Sequence, residues 1–136
     1  MAKLINFSTK FHSEMYLVVN ADLGMGKGKI AAQVGHVVQL LTEKMLTEEM
    51  PSEKMLGEMS SSSGWLLVYD EWKRHGIKKI VLKATEKQLL ELIADHPDCV
   101  YIRDAGLTQI APGSLTVVGF PPQLKYGPIL SKFKLL

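Results

Sequence analysis

The fold is decided by residues 15–41, which read MYLVVNADLGMGKGKIAAQVGHVVQLL. An apolar run is followed by a stretch broken by glycines, and then by apolar residues at three- and four-residue steps. This order predicts a strand, a tight turn and a helix. Because the strand Met15 to Ala21 shows no polar alternation, we expect it to be buried on both faces. Two cations, Lys27 and Lys29, lie at the turn.

The predicted helix has two faces. One is an apolar stripe expected to pack on a sheet, with small residues at 31, 32 and 35 that would allow close backbone approach. The stripe consists of Ile30, Val34, Val37, Val38, Leu41 and Met45. The other face carries Lys29, Gln33 and His36 beside the helix N-terminus, which suits an anionic or oxyanion-bearing ligand. A solvated polar face explains the same pattern equally well.

Length and composition indicate one ordinary globular domain. The chain has 136 residues, of which 22% are charged and 46% apolar. We expect a flexible tail at 1–14 and a single domain at 15–136, with no membrane segment and a cytoplasmic location. One cysteine, Cys99, excludes an internal disulfide and reads as a core residue. The histidines are scattered without ligand spacing, so we expect no metal and no cofactor.

Charge is unevenly distributed along the chain. The net charge is +2, and residues 43–58 hold five glutamates against two lysines. The rest of the chain therefore carries fourteen of the sixteen basic residues but only nine of the fourteen acidic ones. A locally basic body is compatible with phosphate binding, although charge runs are usually solvated faces.

Helices alternate with short apolar strands after residue 45, which is typical of an α/β sandwich. A Pro-, Gly- and Ser-containing stretch at about 46–63 predicts a flexible insertion, whose Glu and Met residues could contact another protein. We predict helices at Trp65–His75 and Thr85–Asp95, strands at Ile77–Ala84, Cys99–Arg103 and Leu115–Phe120, a short helix ending near Leu130, and a tail at 132–136 lying along the sheet.

A second polar cluster, RDAGLTQIAPGS at residues 103–114, lies between two apolar strands. If the first and third strands run parallel, this loop meets the Lys27–Lys29 turn at their carboxyl ends. Asp104 and a lysine would then hold each other charged, and Thr108 could orient a water for the carboxylate. A hairpin loop in which Asp104 and Thr108 merely bond the backbone is the alternative. The Gly24–Lys29 turn lacks the spacing of a Walker or dinucleotide motif.

Together these segments make the chain resemble the type 2 peptidyl-tRNA hydrolases. The matching motifs are MGKGKIAAQ at 25–33 followed by His36, and DAGLTQIAPGS at 104–114. The similarity spans roughly Tyr16 to the C-terminus apart from the insertion. Gly24 departs from it, since the family usually has lysine there. The resemblance implies a three-layer α/β/α sandwich around a four-stranded mixed sheet, and hydrolysis of the ester that joins a peptide to tRNA.

The resemblance also implies roles for individual residues. Carried over by position, Lys29, Asp104 and Thr108 are the catalytic candidates. The substrate-binding candidates are Lys27, Gln33, His36 and Gln109, and we add Lys73, Arg74, Lys78 and Lys79 as contacts for tRNA phosphates. A non-catalytic RNA-binding or adaptor protein on the same fold is the alternative function, and a small phosphate-binding module is a third. Whether the chain forms a homodimer is left open by the sequence.

Overall fold

The computed structural model of the chain describes residues 13–47, 62–106 and 110–136. In this part, helices cover both faces of a mixed β-sheet. The elements are β1 (Met15–Asn20), a 3-10 helix (Ala21–Leu23), α1 (Lys27–Thr47), α2 (Ser62–Arg74), β2 (Lys79–Ala84), α3 (Glu86–Asp95), β3 (Val100–Arg103), β4 (Leu115–Phe120), α4 (Tyr126–Leu130) and β5 (Lys134–Leu135). The predicted α/β sandwich is thus confirmed.

The sheet has the strand order β3-β4-β1-β2-β5. β1 is parallel to β2 and antiparallel to β4, and β3 is also antiparallel to β4. β1 and β3 therefore run in the same direction, which is the condition for their following loops to meet. The sheet has five strands rather than the expected four, because the C-terminal tail pairs with β2 as the short edge strand β5.

Two apolar clusters lie on the two faces of the sheet. One joins α1 and α2 to the sheet through buried residues that include Leu17, Val37 and Trp65. The other joins α3 and α4 to the opposite face and includes Val18 and Leu89. Consecutive residues of β1 enter different clusters, so the strand is buried on both faces as its composition predicts.

The close approach of α1 to the sheet is made by a glycine of β4. A Cβ at Gly119 would meet Val37, and it would lie 2.9 Å from Cδ1 of Leu41. The expectation that small residues of α1 provide this approach is wrong. Gly35 and the two alanines at 31 and 32 are exposed, and a Cβ at Gly35 would have no heavy atom within 4 Å.

Local signals place several element ends correctly. Thr85 caps α3, and Gln88 completes a capping box with it. Cys99 is buried, and this burial raises the pKa of its thiol to about 11. The predicted tail and insertion fall mostly at residues 1–12 and 48–61, which lie outside the described residues. None of the described helices is long and apolar enough to cross a membrane.

Candidate active site

The turn that leads from β1 into α1 is held by a buried asparagine. The side-chain amide of Asn20 donates to the carbonyl of Leu115 at 2.8 Å, and its oxygen accepts from the amide of Asp22 at 2.9 Å. Gly24 ends the 3-10 helix with φ 60°, a conformation that glycine adopts without steric cost. The end of β1 is thereby anchored to the start of β4, and α1 begins at Lys27.

The N-terminus of α1 is a positively charged surface. The amide of Ile30 donates to the carbonyl of Gly26 at 3.0 Å, so the preceding helical amides of residues 27–29 have no partner within the helix. The first turn carries Lys27 and Lys29 and no acidic residue. Cations at this end oppose the helix dipole, so the site favours an anion or a developing oxyanion.

Lys29 forms an ion pair with Asp104, which follows β3. The side chains are 19% and 6% exposed, respectively. Oδ1 of Asp104 accepts from Nζ of Lys29, and Oδ2 accepts from the amide of Gly106 at 2.8 Å. The predicted meeting of the two loops is therefore present in the structure, 75 residues apart in sequence.

The loop that carries Asp104 is held by backbone contacts. The amide of Asp104 donates to the carbonyl of Ser114, and the amide of Gly113 donates to the carbonyl of Asp104, both at 2.8 Å. Gly106 has φ 82°, and a Cβ there would lie 2.9 Å from Cα of Pro112. Glycine is thus required at residue 106 both for its backbone conformation and for the space beside Pro112.

The ion pair stabilises the charged form of Asp104. The hydrogen bond from Lys29 is the main cause that lowers the pKa of this carboxyl below its ordinary value of 3.8. The amide of Gly106 and the charge of Lys29 act in the same direction, while desolvation opposes them. Asp104 is therefore a carboxylate at neutral pH and a weak proton acceptor, better suited to orienting a water than to removing a proton completely.

A β-bulge brings a second polar pair next to this site. Ile102 pairs with Val117 and Arg103 pairs with Leu115, which leaves Thr116 as an extra residue on β4. Its hydroxyl contacts Oε1 of Gln33 at 2.7 Å, and both residues are buried. Thr116 was not among the predicted site residues, although it is the one hydroxyl residue in the apolar run of β4, which is the signal that could have identified it.

A cavity of about 1020 Å³ lies over these residues. Its lining includes Lys29, Gln33, His36 and Asp104, so four of the predicted site residues share one surface. Arg103, which was not singled out from sequence, also lines it. The remaining lining residues are mostly apolar or glycine: Leu23, Gly24, Met25, Gly26, Gly28, Ala32, Ile102, Ala105 and Ile110. Lys27 is exposed at the start of α1 and does not line the cavity.

Two candidates, Thr108 and Gln109, lie outside the described residues. Their predicted roles therefore stay predictions.

Within the described ranges, no three His, Cys, Asp and Glu side chains are arranged to hold a metal ion.

The predicted phosphate contacts do not lie beside the cavity. Lys79 pairs with Met15 at the start of β1, and the carbonyl of Lys78 accepts from the amide of Met15 at 2.9 Å. The cavity is at the other end of β1, about 17 Å away along the strand. Lys73 and Arg74 lie in the last turn of α2, at the same end of the parallel strands as Lys78 and Lys79. The four basic residues are together, but apart from the ion pair.

The fold and the site define an α/β protein in which a lysine–carboxylate pair faces a cavity at the N-terminus of a helix, an arrangement suited to orienting a water and stabilising an oxyanion. The family model for peptidyl-tRNA hydrolase PTH2 matches residues 13–136, and the chain belongs to this family.

Several proteins named peptidyl-tRNA hydrolase are similar to this chain over most of their length. The one from Methanocaldococcus jannaschii is 36% identical over 115 residues, covering 81% of this chain and 86% of the relative. A relative from Methanococcus maripaludis is 41% identical over 115 residues, covering 81% and 85%. A third from Methanococcus vannielii is 38% identical over 130 residues, covering 90% and 98%.

Proposed function

We propose that the protein hydrolyses the ester bond between peptide and tRNA in peptidyl-tRNA, which returns tRNA to translation. The observation that carries this proposal is the ion pair of Lys29 and Asp104 inside a cavity at the N-terminus of α1. Membership of the family and the names of the relatives support the same activity. They do not favour the alternative of a non-catalytic RNA-binding or adaptor protein.

Direct attack by water is the reaction that these groups can support. A carboxylate accepts about four hydrogen bonds, and Asp104 uses one oxygen for Lys29 and the other for the amide of Gly106. The remaining lone pairs can hold a water next to the ester carbonyl. With a lowered pKa, Asp104 contributes mainly by orienting this water. Thr108 stays a proposed partner for the same water.

Lys29 has the complementary role of stabilising the oxyanion. The ester carbonyl gains negative charge in the tetrahedral intermediate, and an ammonium group next to unpaired helix amides stabilises that charge. The ion pair with Asp104 holds Lys29 in place before substrate binds, so little reorganisation is needed during the reaction. The proton needed by the departing ribose oxygen would come from the attacking water.

Other assignments follow from the position of the residues around the cavity. Gln33 and His36 line it and are proposed to contact the peptide or the terminal nucleotide, together with Gln109 and the exposed Lys27. We place the protein in the cytoplasm, where peptidyl-tRNA is produced. A homodimer and a protein contact through residues 46–63 remain proposals, and the described structure bears on neither.

Single-turnover hydrolysis of a purified peptidyl-tRNA tests the proposal. We expect Asp104→Asn and Lys29→Met each to lower the rate about 10²-fold or more, since each removes a group that acts on the transition state. The chain offers a matched control, the surface pair of Lys125 and Asp98, whose charged atoms are 3.7 Å apart. Lys125→Met and Asp98→Asn should stay within about twofold of the wild type. Near wild-type rates in both cavity variants would refute the assignment.

A further inference from the structure

Three lysines surround a second, smaller groove at the carboxyl end of β2. The groove has a volume of about 270 Å³, and Lys83, Lys132 and Lys134 lie along it with Thr85 and Gln88. All three lysines are exposed. The groove brings together a basic cluster that was not predicted from the sequence, because Lys83 and Lys134 are 51 residues apart in the chain.

Two of these lysines face each other across paired strands. Lys83 lies directly opposite Lys134 in the antiparallel ladder of β2 and β5. Like charges in this position are destabilising, so the pair opposes the docking of the C-terminal strand. Lys132 lies nearby with its Nζ 5.2 Å from the centre of the Phe133 ring.

No carboxylate relieves this repulsion in the described part of the chain. None of the three lysines forms an ion pair there, in contrast to Lys29 and Lys125. Asp22, in the turn after β1, instead accepts from the amide of Glu86 at 2.9 Å. A cluster of unneutralised cations around a groove is a site for a polyanion.

The groove lies at the carboxyl ends of the parallel strands, as the Lys29–Asp104 pair does. Ala21, the first residue after β1, is part of its lining, and the turn after β1 leads on to Lys29. From β3, which Asp104 follows, to the middle of the β2–β5 pair is three and a half strand spacings, or about 17 Å. A stacked single strand crosses this distance in about five nucleotides.

We propose that Lys83, Lys132 and Lys134 bind backbone phosphates of the tRNA close to the end that enters the cavity. The inference rests on the proposed function, and it identifies where the tRNA leaves the catalytic site. It differs from the contacts predicted at Lys73, Arg74, Lys78 and Lys79, which lie at the opposite, amino ends of the parallel strands. The chemical group recognised is phosphate. The tRNA backbone and a free phosphate ion both supply this group, and the proposal is for the tRNA backbone.

A triple variant, Lys83→Gln with Lys132→Gln and Lys134→Gln, tests the groove. Lys125→Gln, which removes a surface charge that no proposed tRNA contact uses, is the control. A second triple variant, Lys73→Gln with Arg74→Gln and Lys78→Gln, removes the phosphate contacts predicted at the opposite ends of the strands, and its effect is compared with that of the groove variant. Steady-state hydrolysis of full-length peptidyl-tRNA is compared with that of a short substrate carrying only the terminal nucleotides. We expect the groove variant to raise KM for the full-length substrate roughly tenfold at low salt, and to leave the short substrate unchanged.

Affinity for deacylated tRNA over a salt series gives a second measurement. The slope of log affinity against log salt should fall by about 2 to 3 in the groove variant, since each lost phosphate contact contributes roughly 0.7–0.9. An unchanged slope and KM in the groove variant would overturn the inference, as would an equal loss on both substrates. Stabilisation of the wild type by inorganic phosphate with unchanged tRNA binding in the variant would assign the groove to free phosphate and also overturn it.

The cross-strand pair offers a variant that separates folding from binding. Lys134→Glu places opposite charges across β2 and β5, so the thermal midpoint should rise while the affinity for tRNA falls. If Lys134→Glu lowers both the thermal midpoint and the affinity for tRNA while the triple variant binds tRNA normally, Lys134 has a structural role only and the inference is overturned. If wild-type protein hydrolyses neither substrate, the proposed function fails, and the binding series still decides the groove.

Discussion

The buried contact between Thr116 and Gln33 makes a quantitative prediction about stability. The Thr116 hydroxyl is fully buried and lies 2.7 Å from Oε1 of Gln33 and 3.2 Å from the carbonyl of Ile102. Thr116→Val keeps the size of the side chain but leaves the Gln33 oxygen without its donor. A buried polar group left unpaired costs about 1–3 kcal/mol, so we expect the free energy of unfolding to fall by that amount.

A double-mutant cycle tests whether this contact is the cause. Gln33→Met alone also breaks the hydrogen bond, but the double variant with Thr116→Val replaces both partners by apolar groups and should recover most of the loss. Thr116→Ser is the control, since it keeps the hydroxyl and loses one methyl group, at about 1 kcal/mol. Urea denaturation followed by circular dichroism measures the wild type and all four variants.

Activity should not follow stability in this series. If Gln33 contacts the substrate as proposed, the double variant regains stability but stays slow in single-turnover hydrolysis. Costs of the two single substitutions that add within about 0.5 kcal/mol would refute the reasoning, because independent sites behave in that way.

Two further predictions concern the Asp104 loop. Because Lys29 lowers the pKa of Asp104 below 3.8, the ion pair stabilises the fold fully above that ordinary value, and the contribution is lost as the pH falls through the lower folded value. The difference in unfolding free energy between the wild type and Asp104→Asn should therefore be constant from about pH 5 to pH 8 and shrink below about pH 4; a difference that grows in acid would contradict the assignment. Gly106→Ala should cost more than Gly113→Ala by about 1–3 kcal/mol in thermal or urea denaturation, since both have φ near 80° but only the first meets Pro112, and equal costs would show that the loop relaxes freely.

Short-range patterns were sufficient to predict most elements of this chain. The strand Leu115–Phe120 was predicted with the observed bounds, and the N-cap of α3 was predicted from Thr85. Such features depend on residues close together in sequence, namely apolar periodicity and side-chain bonds to nearby amides. The predictions at Thr108, and in the stretches at 1–12 and 48–61, lie outside the described residues and stay predictions.

Errors arose where packing between distant segments decides the outcome. The glycine that allows α1 to pack closely on the sheet is Gly119 on β4, not Gly35 on the helix, because the contact depends on which strand lies beneath the helix. Gln33 was predicted on a polar face with Lys29 and His36 and it does line the cavity, but its burial was not predicted, because a bulge in β4 provides Thr116 as its partner. Neither the strand order nor the bulge leaves a local signal.

By itself, the sequence determined the class of fold, the family, and the two residues, Lys29 and Asp104, that are proposed to be catalytic. The motifs at residues 25–33 and 104–114 were sufficient to predict the family and these two residues. Only the tertiary structure decided that Lys29 reaches Asp104, that this contact lowers the pKa of the carboxyl, and that the basic residues divide between the two ends of the parallel strands. The physical reason is that distances and electric fields depend on which strands are neighbours, and strand order is set by the packing of the whole chain.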